Sequence, residues 1–281
     1  MLDVRYWFWR MVPLLAIFWA LSPFCLSVDL LPPIVTNRNH QPAGELRNGI
    51  LTLRLKIAQG EWHPEADDGF ALPVYAFGEV GHELQNPGPL IRVSEGTEIR
   101  TDVHNALAVP ITLHGLGDPS GNGDAVVRIA PGATEHLIFN ASTPGLYFYW
   151  GASQAETLQL RHGIDSELTG ALVVDPAGAK AIDDEIFVIE MLSERPGLGS
   201  RQTLATINGK SWPNTERFQY DIGKTVRWRW INATNESHAL HLHVTGPRSS
   251  RHNRISMCGR CGLKGFENLF SREPTLRGWC L

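Results

Sequence analysis

Three histidines fall within six residues, in the order His238-Ala-Leu-His241-Leu-His243. Residues two apart in a strand point to the same face, so His241 and His243 can direct their imidazoles into one site, while His238 lies upstream near a turn. Neutral imidazole is a ligand for copper, zinc, iron and nickel. The cluster therefore predicts a transition-metal site. The alternative is a chance grouping or a surface chelator without a function.

The elements that must carry this cluster are predicted to be strands. From Gly49 onward, short alternating apolar runs are broken by Gly, Pro, Asn and Asp, which is typical of strands and turns rather than helices. Turn signals bound almost every run, as in a β-sandwich. The expected strands include residues 51–57, 90–93, 97–103, 135–139, 145–149, 168–175, 185–190, 203–208 and 225–232.

The last of these strands has two different faces. Alternation places Val226, Trp228 and Trp230 on one side and Arg227 and Arg229 on the other. We expect the tryptophan face to be buried.

The first 27 residues have the organisation of a secretory signal. A start that carries Arg5 and Arg10 is followed by an apolar run over residues 11–27, which Pro13 and Pro23 interrupt. A membrane anchor is the alternative, but spanning a bilayer takes about 20 consecutive apolar residues, more than this run offers. The sequence therefore predicts an exported protein, periplasmic or secreted, with no stable membrane anchor.

Charge and cysteine content narrow the function classes further. The formal net charge of −4 argues against the basic surface that nucleic-acid binding requires. Cys25 lies in the signal, and Cys258, Cys261 and Cys280 lie in the last 24 residues, so residues 28–257 contain no cysteine. A domain of this size is expected to rely on its apolar core rather than on disulfides.

An ordered set of motifs resembles the multicopper oxidases, and laccases in particular, over residues 45–243. The His cluster and the strand before it look like the family's His-Pro-x-His-Leu-His motif. Each upstream piece is short, but together they follow the order of a laccase-like first domain. The matching segments are residues 87–97, 111–116, 131–133, 144–150, 168–175, 208–213 and 223–243.

The resemblance implies an all-β fold, a cupredoxin-like Greek-key β-sandwich. One complete domain is expected over residues 45–176, and the first part of a second over residues 183–243. A second domain cut off near its middle would leave open sheet edges, which favours self-association.

The resemblance also implies copper as the cofactor. In the family, a type 1 copper accepts single electrons from a small-molecule or metal-ion reductant and passes them to a trinuclear copper cluster, which reduces dioxygen to water. Carried over residue by residue, His238 would bind the type 1 copper, and His241 and His243 would serve the trinuclear cluster. His114 would be the second histidine of the first-domain motif.

The chain departs from the family at several of these ligand positions. Where the family's first motif reads His-x-His, this chain has Thr112 before His114, and the second motif reads Trp150-Gly-Ala152. The final His-Cys-His motif falls beyond the point where the resemblance ends, and a blue-copper site requires the cysteine thiolate. The chain alone is therefore not expected to run the family's cycle. The alternative function is a non-catalytic cupredoxin module or an inactive remnant.

Residues 244–281 differ from the sequence before them. They contain seven Lys or Arg and two Asp or Glu, and beyond Val244 they do not look like a strand. A C-terminal truncation or a reading-frame shift near Val244 would explain this basic tail. Cys258-Gly-Arg-Cys261 has the spacing of a zinc knuckle or a redox pair, with an unselected tail as the alternative.

One further segment concentrates charge. Arg161, Asp165 and Glu167 lie within seven residues. They are compatible with a polar site or with ion pairs that stabilise a loop, and the second interpretation is favoured.

Overall fold

The computed structural model describes residues 30–118, 125–154, 157–179, 183–193, 203–218, 220, 225–234, 236–238 and 266–271. From Leu31 onward, these residues belong to one compact unit. The predicted secretory signal, His241, His243 and the three cysteines of the tail lie outside the described residues. No helix within the described residues is long and apolar enough to cross a membrane.

The described residues are organised almost entirely as strands, which confirms the all-β prediction. Each strand expected from the alternating pattern is present. One short 3-10 helix spans Leu158–Leu160. The strands are β1 (Pro33–Thr36), β2 (Glu45–Arg47), β3 (Ile50–Trp62), β4 (Leu72–Glu79), β5 (Leu84–Asn86), β6 (Gly88–Ser94), β7 (Glu98–Asn105), β8 (Ile111–His114), β9 (Val126–Ile129), β10 (Thr134–Asn140), β11 (Gly145–Ala152), β12 (Thr169–Asp175), β13 (Asp184–Leu192), β14 (Leu204–Ile207), β15 (Thr225–Asn232) and β16 (Phe266–Ser271).

The first sheet has the strand order β1-β5-β4-β3-β7-β10, and β2 pairs with β3 beside that path. β3 shows why the sequence forms it: Leu51, Leu53 and Leu55 are buried, whereas the alternate residues Thr52 and Arg54 are exposed. A period of two with one apolar face is what a sheet needs to cover a core.

The second sheet has the order β6-β12-β11-β8-β9. The two sheets share one apolar core, to which the first contributes Leu53 and Val103 and the second Ile91, Leu113 and Tyr149. This is the β-sandwich that the turn spacing predicts.

The third sheet, β14-β13-β15-β16, packs on the opposite face of the second sheet. Ile186, Val188 and Ile231 of the third sheet belong to the same buried cluster as Leu146 and Val173 of the second. The apolar junction between these two sheets brings the histidine-bearing end of β15 close to the first part of the chain.

The two faces predicted for β15 are present. Val226, Trp228 and Trp230 lie in one buried cluster, where the Trp230 ring stacks on Phe187 at 4.2 Å between centroids. On the other face, Arg229 is also buried, so the strand is covered on both sides.

The tail contributes more than the sequence indicates. The backbone of residues 266–271 forms β16, which pairs antiparallel with β15 from Trp230 opposite Phe266 to Thr225 opposite Ser271. The expectation that the residues beyond Val244 are unlike a strand is therefore wrong for this segment. Sheet pairing uses backbone groups, and alternation alone is a weak signal in a short strand.

Two arginines tie the strand ends together at the junction of the second and third sheets. Arg92 donates hydrogen bonds to Asp175 and to Asp184, each at 2.7 Å. Arg229 donates to the same two carboxylates, at 2.9 Å to Asp184 and 3.3 Å to Asp175. The side chains of Arg229 and Asp184 are 1% and 5% exposed, so this network lies largely out of water.

We expect Asp184→Asn to lower the free energy of unfolding by about 3 kcal/mol, because it removes the nearer carboxylate of buried Arg229 and leaves Asp175 as the single counter-charge for two guanidinium groups. Urea denaturation at pH 7 measures the change. The control is Arg100→Gln, which removes a pair with Glu98 at a side chain that is 53% exposed, and there we expect less than about 1 kcal/mol. Equal losses in the two variants would contradict the importance of the buried network.

Candidate metal centre

The first-domain ligand positions of the resemblance meet on one strand pair. β8 and β11 are antiparallel neighbours, with Trp150 opposite His114 and Ala152 opposite Thr112. Because residues two apart in a strand share a face, all four side chains lie on the same side of the second sheet. We call these four positions (Thr112, His114, Trp150 and Ala152) the first-domain frame. Of the four, His114 carries an imidazole.

This frame lies on the side of the second sheet that faces away from the sandwich core. The alternate residues Leu113 and Tyr149 enter that core, whereas Trp150 and Ala152 form a separate buried cluster with Leu158. The third sheet packs on this same outer face. The frame therefore borders the junction between the second and third sheets.

The imidazole of His114 stacks on the indole of Trp150. Their ring centroids are 3.9 Å apart, the rings are tilted by 1°, and each residue is 6% exposed. Gly115 makes the close approach of β8 to β11 feasible: its φ is +80°, and a Cβ there would lie 2.3 Å from the carbonyl oxygen of Phe148. Indole thus occupies the place where the resemblance implies a second imidazole.

A guanidinium group completes the stack. Arg161 Cζ lies 5.1 Å from the centroid of the Trp150 ring, within the range of a cation–π interaction. The side chain is 3% exposed. Its donors reach one side-chain oxygen and four backbone carbonyl oxygens. These are Gly151 O at 3.3 Å, Asp165 O at 2.9 Å and Leu168 O at 3.1 Å from Nη1, and Thr169 Oγ1 at 2.9 Å and Ala233 O at 3.3 Å from Nη2.

The sequence favoured ion pairs within the segment from Arg161 to Glu167, but the hydrogen bonds of Arg161 and Asp165 go to other partners. Arg161 is held mainly by neutral oxygens, and Asp165 instead accepts hydrogen bonds from the backbone and hydroxyl of Ser153, at 2.6 and 2.8 Å. Burial lowers the pKa of Arg161 to about 10, partly offset by the field of Asp165, Glu190 and Glu167. At neutral pH the group remains a cation.

Two fully buried carboxyl groups lie in the electrostatic field of this guanidinium. Glu167 accepts hydrogen bonds from Asn86 Nδ2 at 3.2 Å and Ser166 Oγ at 3.1 Å, and burial raises its pKa to about 7. Among the described residues, Glu190 has no hydrogen-bond partner for either carboxyl oxygen. Burial, and then the nearby charge of Glu167, raise the pKa of Glu190 well above its ordinary value.

One member of the His cluster lies within the described residues. His238 Nε2 is 2.8 Å from the hydroxyl oxygen of Thr234, in the turn that follows β15. The same hydroxyl is 2.7 Å from Asn232 Oδ1 and 3.1 Å from the carbonyl oxygen of Glu236, and it accepts the backbone N–H of Glu236 at 3.2 Å. These contacts around the Thr234 hydroxyl fix the position of His238, the first residue of the histidine cluster.

The described residues do not assemble a metal site by themselves. Among them, no three His, Cys, Asp or Glu side chains gather in a way that could hold a metal ion. Of the four first-domain positions, Thr112 is a poor copper ligand, and Trp150 and Ala152 offer no donor atom for a metal. The first-domain frame therefore does not fit a copper ion without ligands from the His cluster.

Comparisons with known proteins agree with this architecture. Residues 80–178 match the family model described as multicopper oxidase. The chain is 30% identical over 179 residues to the probable nitrite reductase-hydroxylamine oxidoreductase fusion protein of Kuenenia stuttgartiensis, a match that covers 56% of this chain and 20% of that protein. It is 27% identical over 170 residues to the copper-containing nitrite reductase of Neisseria gonorrhoeae, covering 58% of this chain and 41% of that enzyme.

Solved structures show the same fold. The blue copper oxidase of Nitrosomonas europaea has a TM-score of 0.56 at 23% identity, covering 79% of this chain and 72% of that one. The copper nitrite reductase of the same organism has a TM-score of 0.54 at 20% identity, covering 66% of this chain and 68% of that one. Residues 80–178 are therefore similar to the multicopper oxidase family, and the fold of the chain is that of the cupredoxin proteins. The chain spans less than half the length of each curated relative named above.

Sequence reasoning missed the two residues that fill the first-domain frame. Trp150 was recognised as a lost ligand, but its stacking on His114 depends on the register of β8 and β11. The sequence favours loop ion pairs for Arg161, although an arginine can equally donate hydrogen bonds to backbone carbonyl oxygens. The available signal was the closeness of Arg161 in the sequence to the ligand position at Ala152.

The stability of the chain should fall as pH rises from 4.5 to about 7. The pKa of Glu167 is raised from 4.5 to about 7 in the fold, so the proton is bound more tightly in the folded than in the unfolded state. The resulting stabilisation is fully present below pH 4.5 and is lost as pH rises to about 7, a change of about 3 kcal/mol. Glu190 acts in the same direction.

We expect Glu167→Gln to reduce the fall in stability between pH 5 and 7, leaving the part due to Glu190, and to be more stable than the wild type at pH 8. Urea denaturation at pH 5, 6, 7 and 8 measures it. Glu83→Gln, at an exposed carboxylate, is the matched control and should follow the wild-type curve. A wild-type slope that persists in Glu167→Gln would assign the effect to other groups.

Proposed function

We propose that this chain is an exported, periplasmic or secreted, copper-binding protein whose copper is held by His238, His241 and His243. His114 is the imidazole at the first-domain ligand positions on β8 and β11, and it is the candidate fourth ligand. The supporting observation is the position of His238: it lies in the turn that follows β15, and β15 belongs to the sheet that packs on the His114 face. When bound, copper supplies one-electron redox chemistry.

The protein's own residues would bind and orient the metal. Imidazole nitrogens suit copper in either oxidation state, and the turn around Thr234 fixes where His238 begins the cluster. The buried junction of the second and third sheets excludes water from the His114 side. The family relation supports an electron-transfer role with a small-molecule or metal-ion reductant. Dioxygen is the proposed acceptor, and the nitrite reductases among the relatives support nitrite as a second one.

A non-catalytic copper-binding module is the second candidate. The stack of His114, Trp150 and Arg161 favours it, because indole and guanidinium fill the place of first-domain ligands. The two candidates share copper binding and differ in turnover. An oxygen electrode with a phenolic or ferrous reductant, and a nitrite assay, distinguish them: consumption supports the oxidoreductase, and none with copper bound supports the module.

We expect His241→Ala to weaken copper binding by at least about 100-fold, since loss of even an outer-sphere partner of a metal ligand costs about 10- to 100-fold. The measurement is copper per chain after loading and desalting, together with the Cu(II) electron paramagnetic resonance spectrum.

His136→Ala is the control, because His136 is an exposed imidazole on β10 paired with Asp102 at 2.6 Å. It should retain the wild-type copper content and spectrum. Copper uptake by His241→Ala equal to that of the wild type would refute the proposed ligand cluster.

A further inference from the structure

We propose that Arg161 is a positioning residue for His238: its guanidinium connects β11 and β12 of the second sheet to the turn that carries His238. The predicted effect on copper rests on the proposed function. The predicted effect on the turn of His238 depends on the contacts of Arg161 alone.

One end of the connection is fixed in the first part of the chain. Nη1 of Arg161 donates to the carbonyl oxygens of Asp165 and Leu168, at 2.9 and 3.1 Å, and Nη2 donates to Thr169 Oγ1 at 2.9 Å. Thr169 begins β12 and lies opposite Trp150 in the sheet register. These bonds leave the guanidinium little freedom to rotate, because its donors form a rigid planar fork.

The Trp150 ring fixes the plane of the group from one side. Arg161 Cζ lies 5.1 Å from the centroid of that ring, and Trp150 in turn stacks on His114 at 3.9 Å. A cation–π contact is stronger in a site this poor in water than at an exposed one. The Trp150 ring therefore contacts His114 on one side and the Arg161 guanidinium as well.

The other end of the connection reaches the third sheet. Nη2 of Arg161 donates to the carbonyl oxygen of Ala233 at 3.3 Å. Ala233 is 3% exposed and donates its own N–H to Ile189 O at 2.9 Å. The next residue, Thr234, supplies the hydroxyl beside His238. Arg161 therefore holds the residue at which β15 gives way to the turn of the histidine cluster.

A methionine at this position would keep the apolar stem but lose every donor. Lysine would keep the charge but could not serve the several oxygens around the group with one planar fork. Comparing Arg161→Met with Arg161→Lys separates the effect of the guanidinium geometry from the effect of its charge. A general loss of stability would not distinguish these two effects.

The test is hydrogen exchange measured by mass spectrometry on peptides covering residues 225–238 of the full chain. The amides of Ala233, Thr234 and Glu236 report directly, since each donates to an acceptor named above or to Asn232 Oδ1 at 3.1 Å. We expect Arg161→Met to speed their exchange about tenfold or more, which corresponds to about 1.4 kcal/mol of lost protection. Arg161→Lys should fall between this variant and the wild type.

Copper affinity is the second readout, with copper(II) alone as the probe. We expect Arg161→Met to weaken copper binding about tenfold and to alter the paramagnetic resonance spectrum. Arg100→Met, at an exposed arginine on β7, is the matched control and should change neither readout. Unchanged exchange at residues 233–236 in Arg161→Met would overturn the proposal.

Thr169→Val provides an independent variant if Arg161→Met does not fold. It removes one acceptor of the guanidinium while keeping side-chain shape, and we expect exchange at residues 233–236 to rise about two- to fivefold. No rise would overturn the proposal. If the wild-type chain takes up no copper, the proposed function fails together with the copper readout, and exchange still decides whether Arg161 fixes the turn.

Discussion

A guanidinium group buried between sheets has to be matched by oxygen atoms, and the junction of the second and third sheets depends on meeting this requirement twice. Arg229 meets it with two carboxylates, Asp184 and Asp175, at the ends of the strands it joins. Arg161 meets it mainly with carbonyl oxygens and an indole face. Neutral partners leave its charge largely uncompensated, so the group still acts on its surroundings.

That charge stands beside two carboxyl groups that burial keeps from ionising freely. For Glu167 and Glu190, the loss of hydration outweighs the attraction of Arg161, and both pKa values rise. Around Arg161, the junction therefore holds a fixed cation and two acids biased toward their neutral forms. Such an arrangement avoids burying two like charges together. Within the part of the chain that the structure describes, no hydrogen bond to Glu190 would stabilise its ionised form.

Strand periodicity explains why so much of the fold could be predicted from the sequence. The leucines of β3 and the tryptophans of β15 alternate with polar residues, so their strands and buried faces followed from spacing alone.

The candidate site was harder to predict from the sequence than the strands. Thr112, Trp150 and Ala152 were recognised as lost ligands by their order in the chain, but the stacking of Trp150 on His114 depends on pairing between strands that sequence does not fix. The cage around Arg161 is built from backbone carbonyls, which carry no sequence signal. β16 was missed because its pattern does not alternate strongly.

The stack of His114, Trp150 and Arg161 bears on how metal binding and folding of this chain are related. Where ligands from two domains share a metal, metal binding and assembly of the site are coupled, and removing the metal loosens both. Here the outer face of the second sheet is filled by its own aromatic stack, and Arg161 reaches Ala233 without any metal. The junction can therefore form first and present the turn of His238 in place. The position of His238 is thus set by hydrogen bonds within the protein, through Arg161, Ala233 and Thr234.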